Sequence, residues 1–503
     1  MNWRDAPLFV FFLGMAGLAM LALATYAAFA GVWDISRNFF YSGLFVLFLT
    51  TLVALARANA SHTVSARSHL LALLLAFLLL PAVLAVPLAA SVPTITGAEA
   101  YFEMVSSLTT TGATLFVDPA AIDPSLHLWR ALVAWLGGYL TIFGALAIMA
   151  PLNLGGFEIR SLVYGARPGE GGMRAGSPRT ADRMMRTARR IAPIYATMTL
   201  ALALALVIAG QAPLSAVIHA MSIVSTSGIS DSAAGLAGPA GRIGEAIIVV
   251  FFLLVMTHRV FERAPWRERV AQVAADAEVR LLLLIVLGVT LLLFVRHWIG
   301  AIEVDAGEDL ELGLRALWGA IFTVLSFLST TGVESADWEA AQTWSGLGTP
   351  GLVLLGIAAI GGGVATTAGG VKLLRIYALY KHGVREMERL VHPSSVAGAG
   401  FTARRIRREG AFIAWIFLMV FLLLLALTLL ALSLTGLDFE PAMALAVAAL
   451  STAGPAAQAV SADVPAYALL DPAAHAILAV AMVLGRLEVL AVIALLNPGF
   501  WRR

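Results

Sequence analysis

Long apolar runs separated by short polar connections dominate the chain. Ten of them suit membrane-crossing helices, which need about 20 mostly apolar residues: 7–30, 39–55, 70–90, 128–150, 191–210, 246–256 with its flanks, 281–295, 351–380 with a glycine break, 411–434 and 474–496. The runs do not alternate apolar and polar positions, which excludes a transmembrane β-barrel. The first outlasts the apolar core of a signal peptide, about 7–15 residues, and is read as a span. Four shorter, moderately apolar stretches lie between spans, at 96–107, 213–222, 311–326 and 439–449. Too short to cross, they suit re-entrant half-helices.

Composition agrees. Of 503 residues, 60% are hydrophobic and 13% charged, about half the charged share of a soluble domain. Mean hydropathy is +0.88. There is no cysteine, which removes disulfides, thiolate metal sites and a cysteine nucleophile together. A net charge of +2 is no footprint for nucleic acid. Arginines and lysines collect at 160–190, 259–280 and 372–408, whereas acids cluster at 303–311 and 334–339. The positive-inside rule makes the basic loops cytoplasmic and the acidic ones external. The same basic loops suit anionic lipid or a docking partner.

The half-helices end alike. They read SSLTTTGAT (106–114), SIVSTSGIS (222–230), SFLSTTGVE (326–334) and, more loosely, AALSTAGPA (448–456). Aligned on Gly112, Gly228, Gly332 and Gly454, each carries threonine two places earlier: Thr110, Thr226, Thr330 and Thr452. Spacings of 116, 104 and 122 residues leave room each time for two spans and a link. Periodic self-similarity of this kind defines the architecture. It is an all-α polytopic membrane protein of about ten transmembrane helices. Two leading spans (1–66) precede four span–half-helix–loop–span repeats at 67–160, 185–270, 275–390 and 405–503 around one axis. Irregular backbone at membrane depth requires a protein-lined or watery cavity. Carbonyl and hydroxyl oxygens there replace the water shell of a dehydrating cation without a fixed charge to trap it. Glycine turns carbonyls to the axis at dihedrals other residues resist. Half-helices entering from outside point negative C-terminal ends inward, favouring cations. The competing reading is four Ser/Thr-Gly caps on ordinary helices.

Two other segments bear on transport. GGGVATTAGGVKLLR (361–375) breaks a span mid-membrane. It is no Walker A loop, because no Gly-Lys-Ser/Thr follows at the required spacing. It is either mobile backbone facing a cavity or small-residue helix packing. GRLE (485–488) puts Arg486 near the midplane, where a charge costs about 2.5–3.5 kcal/mol on insertion scales. That arginine either faces the pore as a Coulomb barrier or pairs with an acid on a half-helix or in the third repeat.

At these residues the chain resembles the bacterial Trk/Ktr/HKT potassium-transporter superfamily, and its Trk-type membrane subunits most closely. TTTGAT with the preceding AYFEMVSSL, which carries Glu103, and FLSTTGVESADW, which keeps Thr331 and Asp337, carry the resemblance best. It implies a selectivity filter binding K+ at Thr110, Thr111 and Gly112, at Thr226, Ser227 and Gly228, at Thr330, Thr331 and Gly332, and at Thr452, Ala453 and Gly454. Glycine in all four filters implies potassium preference. The resemblance further implies a gate loop of Gly361, Gly362, Gly363, Thr366, Thr367, Gly369, Gly370 and Lys372, and a pore barrier at Arg486. Implied partners are a second copy of the chain and a cytosolic nucleotide-binding RCK-type subunit. The implied activity is potassium uptake across the bacterial inner membrane, driven by membrane potential, with no cofactor beyond the transported ion. A sodium-permeable or cotransporting relative is the alternative. Departures are Ala453 and Ala456 in the fourth filter, and WLGGYLTIFG at 135–144 in place of a GGxGI-like stretch.

Other functions fit poorly. A membrane enzyme needs paired carboxylates or a histidine cluster, whereas the nine histidines are scattered and no acid pair lies inside a span. Inverted-repeat carriers need repeats of opposite topology, whereas these repeats hold an even number of spans and point the same way.

Overall fold

The computed structural model describes residues 8–56, 66–152, 180–233, 235–261, 273, 276–300, 310–347, 350–391, 401–461 and 463–487. All regular structure among them is helical. Helices α1 (Leu8–Phe29) and α2 (Trp33–Ala56) form the leading pair. Repeat 1 holds α3 (Ala66–Ser91), α4 (Gly97–Leu108) and α5 (Pro124–Gly144); repeat 2 holds α6 (Thr180–Ile208), α7 (Pro213–Ser225) and α8 (Gly241–Val255). Repeat 3 holds α9 (Ala277–Gly300), α10 (Leu310–Leu328), α11 (Trp338–Ser345), α12 (Pro350–Ile360) and α13 (Leu373–Val391). Repeat 4 holds α14 (Phe401–Ser433), α15 (Phe439–Leu450) and α16 (Pro472–Leu487).

Among the described residues, nine helices are long and apolar enough to cross a membrane, or ten with α11 and α12 taken together. Eight coincide with expected spans. The run at 351–380 is no continuous helix: it stops at Ile360, and helix resumes only at Leu373. The last run is described as far as Leu487, so Glu488 and the rest lie outside the described residues, as do 160–179 of the 160–190 basic loop and 392–400 of the 372–408 basic loop. The ninth long helix is α10. At 19 residues it exceeds the half-helix expected at 311–326, whereas α4, α7 and α15 have 12, 13 and 12 and cannot span.

Local chemistry sets the starts of the half-helices. Thr96 and Glu99 close a capping box on α4, with the Thr96 N–H donating to Glu99 Oε2 at 2.7 Å. Proline occupies the first turn of α7, where no backbone donor is lost. Packing then closes a ring. Each half-helix lies between two flanking helices of its own repeat and touches the inner helix of the preceding one: α4 against α16, α7 against α5, α10 against α8, α15 against α12. Burial follows this layout. In α5, 72% of the apolar window is buried, but in α14 only 17%, which places α14 at the periphery.

Candidate functional site

The four Thr-Gly turns meet. A side chain added at Gly112 would strike the Ser227 carbonyl, and one at Gly228 would lie 2.5 Å from the Thr331 carbonyl oxygen. One at Gly332 would lie 2.8 Å from Ala456 N, and one at Gly454 would strike the backbone at Ala113 and Thr111. Turn 1 thus abuts turn 2, turn 2 turn 3, turn 3 turn 4, and turn 4 turn 1. The Gly454 N–H closes the circle by donating to Thr111 O at 2.6 Å.

All four half-helices end in one Schellman cap. Thr111, Ser227, Thr331 and Ala453 donate their N–H to the carbonyl five residues back, on Ser106, Ser222, Ser326 and Ala448, at 2.8–3.0 Å. The left-handed position that glycine normally fills holds Thr110, Thr226, Thr330 and Thr452, with φ between 53° and 61°. A β-branched residue there costs about 1–3 kcal/mol and persists only where its surroundings over-determine it. Three glycines, Gly112, Gly228 and Gly332, follow at positive φ; Gly454 does not, so left-handed glycine explains three turns and not the fourth. The cap reading of the sequence is therefore right about local structure, but these caps converge on one centre. The hydroxyls of Thr110, Thr226 and Thr452 are buried with no hydrogen-bond partner. That of Thr330 accepts the Gly369 N–H at 2.9 Å.

Hydroxyl pairs within the turn brace three turns and are missing from the fourth. Hydroxyls three places and one place before the glycine pair up: Thr109 with Thr111 at 2.8 Å, Ser225 with Ser227 at 3.2 Å, Ser329 with Thr331 at 2.9 Å. In turn 4 the second position is Ala453, and the Ser451 hydroxyl has no partner. Nine places before the glycine stand Glu103, His219, Thr323 and Leu445. Glu103 accepts the Leu115 N–H at 2.9 Å and pairs with buried Arg130 at 2.6 Å. His219 lies 3.0 Å from the Ser230 hydroxyl, and Thr323 accepts the Ser335 N–H at 3.1 Å. Each holds the strand leaving its turn. Leu445 has no polar atom; the Tyr467 hydroxyl instead donates to Gly454 O at 2.9 Å. Only Glu103 stood out in the sequence, because the other three residues share a position without sharing a chemistry. Beside turn 3, Glu245 accepts the Ala336 N–H at 2.8 Å. Asp337 binds Arg242 at 2.6 Å and Arg315 at 2.9 Å. Those hydrogen bonds, the one from Arg242 foremost, hold its carboxyl below the usual carboxylate range.

Residues 361–372 lie across the inner ends of the four half-helices. Gly361, Gly370, Ala365 and Lys372 adopt positive φ; Gly362, Gly363 and Gly369 do not. Thr366 donates to Gly363 O at 2.7 Å, and Lys372 Nζ bonds Ala368 O. Thr367 donates to Val224 O at 3.4 Å, beneath turn 2. Gly369 reaches Thr330 of turn 3, and a side chain on it would strike Ser451 and Thr452 of turn 4. Turn 1 is reached through Arg486, whose Nε donates to Thr109 O at 2.7 Å and Nη1 to Thr367 O at 2.5 Å. These glycines thus serve a loop and not helix–helix packing. The recorded partners of Arg486 are carbonyls, not the acid that one sequence reading supplied. Gly137 and Gly485 each press on the last residue of their own half-helix, Leu108 and Leu450. Arg486 is therefore the counterpart of Gly138, whose missing side chain leaves room for the Tyr195 hydroxyl, with Ser225 and Thr367 just beyond it.

Four quasi-equivalent half-helices ending in one oxygen-rich ring, with a loop across its base, define a membrane transport protein of the four-repeat pore class. The chain belongs to the TrkH family, described as cation transport protein, whose model matches residues 35–498; this is a family of transporters and not of enzymes. It is 32% identical over 407 residues to the Trk system potassium uptake protein TrkH of Halomonas elongata, covering 80% of each chain. To the Salmonella typhimurium protein of the same name it is 31% identical over 411 residues, covering 82% of this chain and 80% of that one. The crystal structure of the potassium transporter TrkH from Vibrio parahaemolyticus superposes with a TM-score of 0.80 at 26% identity, covering 100% of both chains.

Proposed function

We propose that this chain is a potassium uptake pore of a bacterial inner membrane, with the four turns as its selectivity filter. The observation that carries the reading is the closed circle in which each turn's glycine faces the backbone of the next turn. Backbone carbonyls and the unpartnered threonine hydroxyls supply the oxygens that replace a cation's water shell. Membrane potential drives entry, at about 2.3 kcal/mol per charge per 100 mV. The 361–370 loop is the gate, since it touches the inner side of all four turns directly or through Arg486. The Arg486 guanidinium raises the barrier to a cation leaving the filter inward. A second copy and a cytosolic RCK-type subunit complete the assembly, the latter docking on the basic loops.

Rubidium uptake into potassium-transport-deficient cells tests this: expression restores uptake, and none despite good expression refutes it. Sodium competing equally would assign the chain to the sodium-permeable branch instead. Arg486→Ala raises rubidium leak into vesicles; unchanged or lower flux removes the barrier role.

A further inference from the structure

We propose that Glu278 is a positioning residue that latches the 361–370 loop in its filter-contacting conformation from the side of the 257–280 linker; this rests on reading that loop as the gate. Glu278 sits in the first turn of α9 and is 3% exposed. Its Oε1 accepts the Val364 N–H at 3.2 Å. Its Oε2 lies 3.6 Å from His258 Nδ1 and 3.1 Å from where a side chain on Gly363 would begin. Burying a carboxylate is costly, and an apolar side chain of similar size fills such a space at less cost. The group is explained by what it grips.

Its grip falls where the loop turns. The next residue, Ala365, reverses the backbone at φ 57°, and Gly369 then bonds Thr330. The loop is thus pinned at Val364 from the linker side and at Thr367 and Gly369 from the filter side. The linker end is itself braced. Glu278 donates its N–H to Asp276 Oδ1 at 3.0 Å, and Asp276 pairs with Arg259 at 2.7 Å. Phe261 O accepts from Arg190, three turns into α6. Movement of the 257–261 turn therefore reaches the loop through the Asp276 and Glu278 carboxylates, alongside the Met256 carbonyl oxygen, which lies 2.5 Å from where a side chain on Gly363 would begin.

The absence of cysteine makes a single thiol a clean reporter. Thr366→Cys, in a residue now buried, is labelled with a membrane-impermeant maleimide in purified protein, alone and with Glu278→Leu or Glu278→Gln. Leucine fills the space without the acceptor, and labelling accelerates about tenfold, the shift expected from one lost hydrogen bond. Glutamine keeps the acceptor oxygen and stays near the parental rate. Equal rates for the leucine variant and its parent, or a glutamine variant as reactive as the leucine one, overturn the proposal. Rubidium flux into vesicles is read in parallel. Faster labelling with faster flux supports latch and gate together, whereas faster labelling with unchanged flux upholds the latch and overturns the gate.

Discussion

Turns 1 and 4 sit side by side on the ring and share one helix cap, yet they are held in different ways. Turn 1 is braced from within its own repeat by the Thr109–Thr111 hydroxyl pair, by Ser106 donating to Ala113 O at 2.7 Å, and by Glu103 on the exit strand. Turn 4 has alanine or leucine at the matching places, Ala453, Ala448 and Leu445. It is held by the Gly454 N–H reaching turn 1 and by Tyr467 from its own exit loop. The difference teaches that the cap and the ring set the turn, while the braces stiffen it. A turn without braces depends on its neighbour.

The largest effect expected from this contrast is at Glu103. Glu103→Ala leaves Arg130 buried beside a vacated partner, at a cost of about 3–5 kcal/mol, read as a lower melting temperature in detergent. A variant as stable as the parent would erase the distinction between the two turns. Tyr467→Phe removes one neutral hydrogen bond, about 0.5–1.5 kcal/mol. It should lower the rubidium-to-sodium uptake ratio while total expression holds, and an unaltered ratio denies Tyr467 a part in ordering turn 4. Smallest is Ala453→Ser, which gives turn 4 the STSG of turn 2 and offers Ser451 a partner. A gain of less than about 1 kcal/mol is expected, with uptake undiminished; a loss of stability would mean the site has no room for the hydroxyl.

The ring was legible because its signal is local: Thr-x-Gly recurs at the end of four short apolar stretches, and two of the residues recur by identity. The half-helix starts at Thr96 and Pro213 were equally plain. What stayed hidden lies in contacts across the chain. No pattern announces that threonine and not glycine takes the left-handed place, because the Schellman cap is expected to hold glycine there. The partners of Arg486 are the carbonyls of Thr109 and Thr367, and the partner of Glu278 is the N–H of Val364; every residue owns such groups, so none marks a sequence. The sequence understates the length of α10 because Glu311 and Arg315 dilute its apolar character, although Arg315 is spoken for by Asp337.

The guanidinium of Arg486 grasps the foot of turn 1 with one donor and the loop with another. Withdrawing the loop therefore strips a ligand from the group that steadies the turn. In a pore working this way, throughput and ion discrimination share a single side chain, and neither is adjusted without disturbing the other.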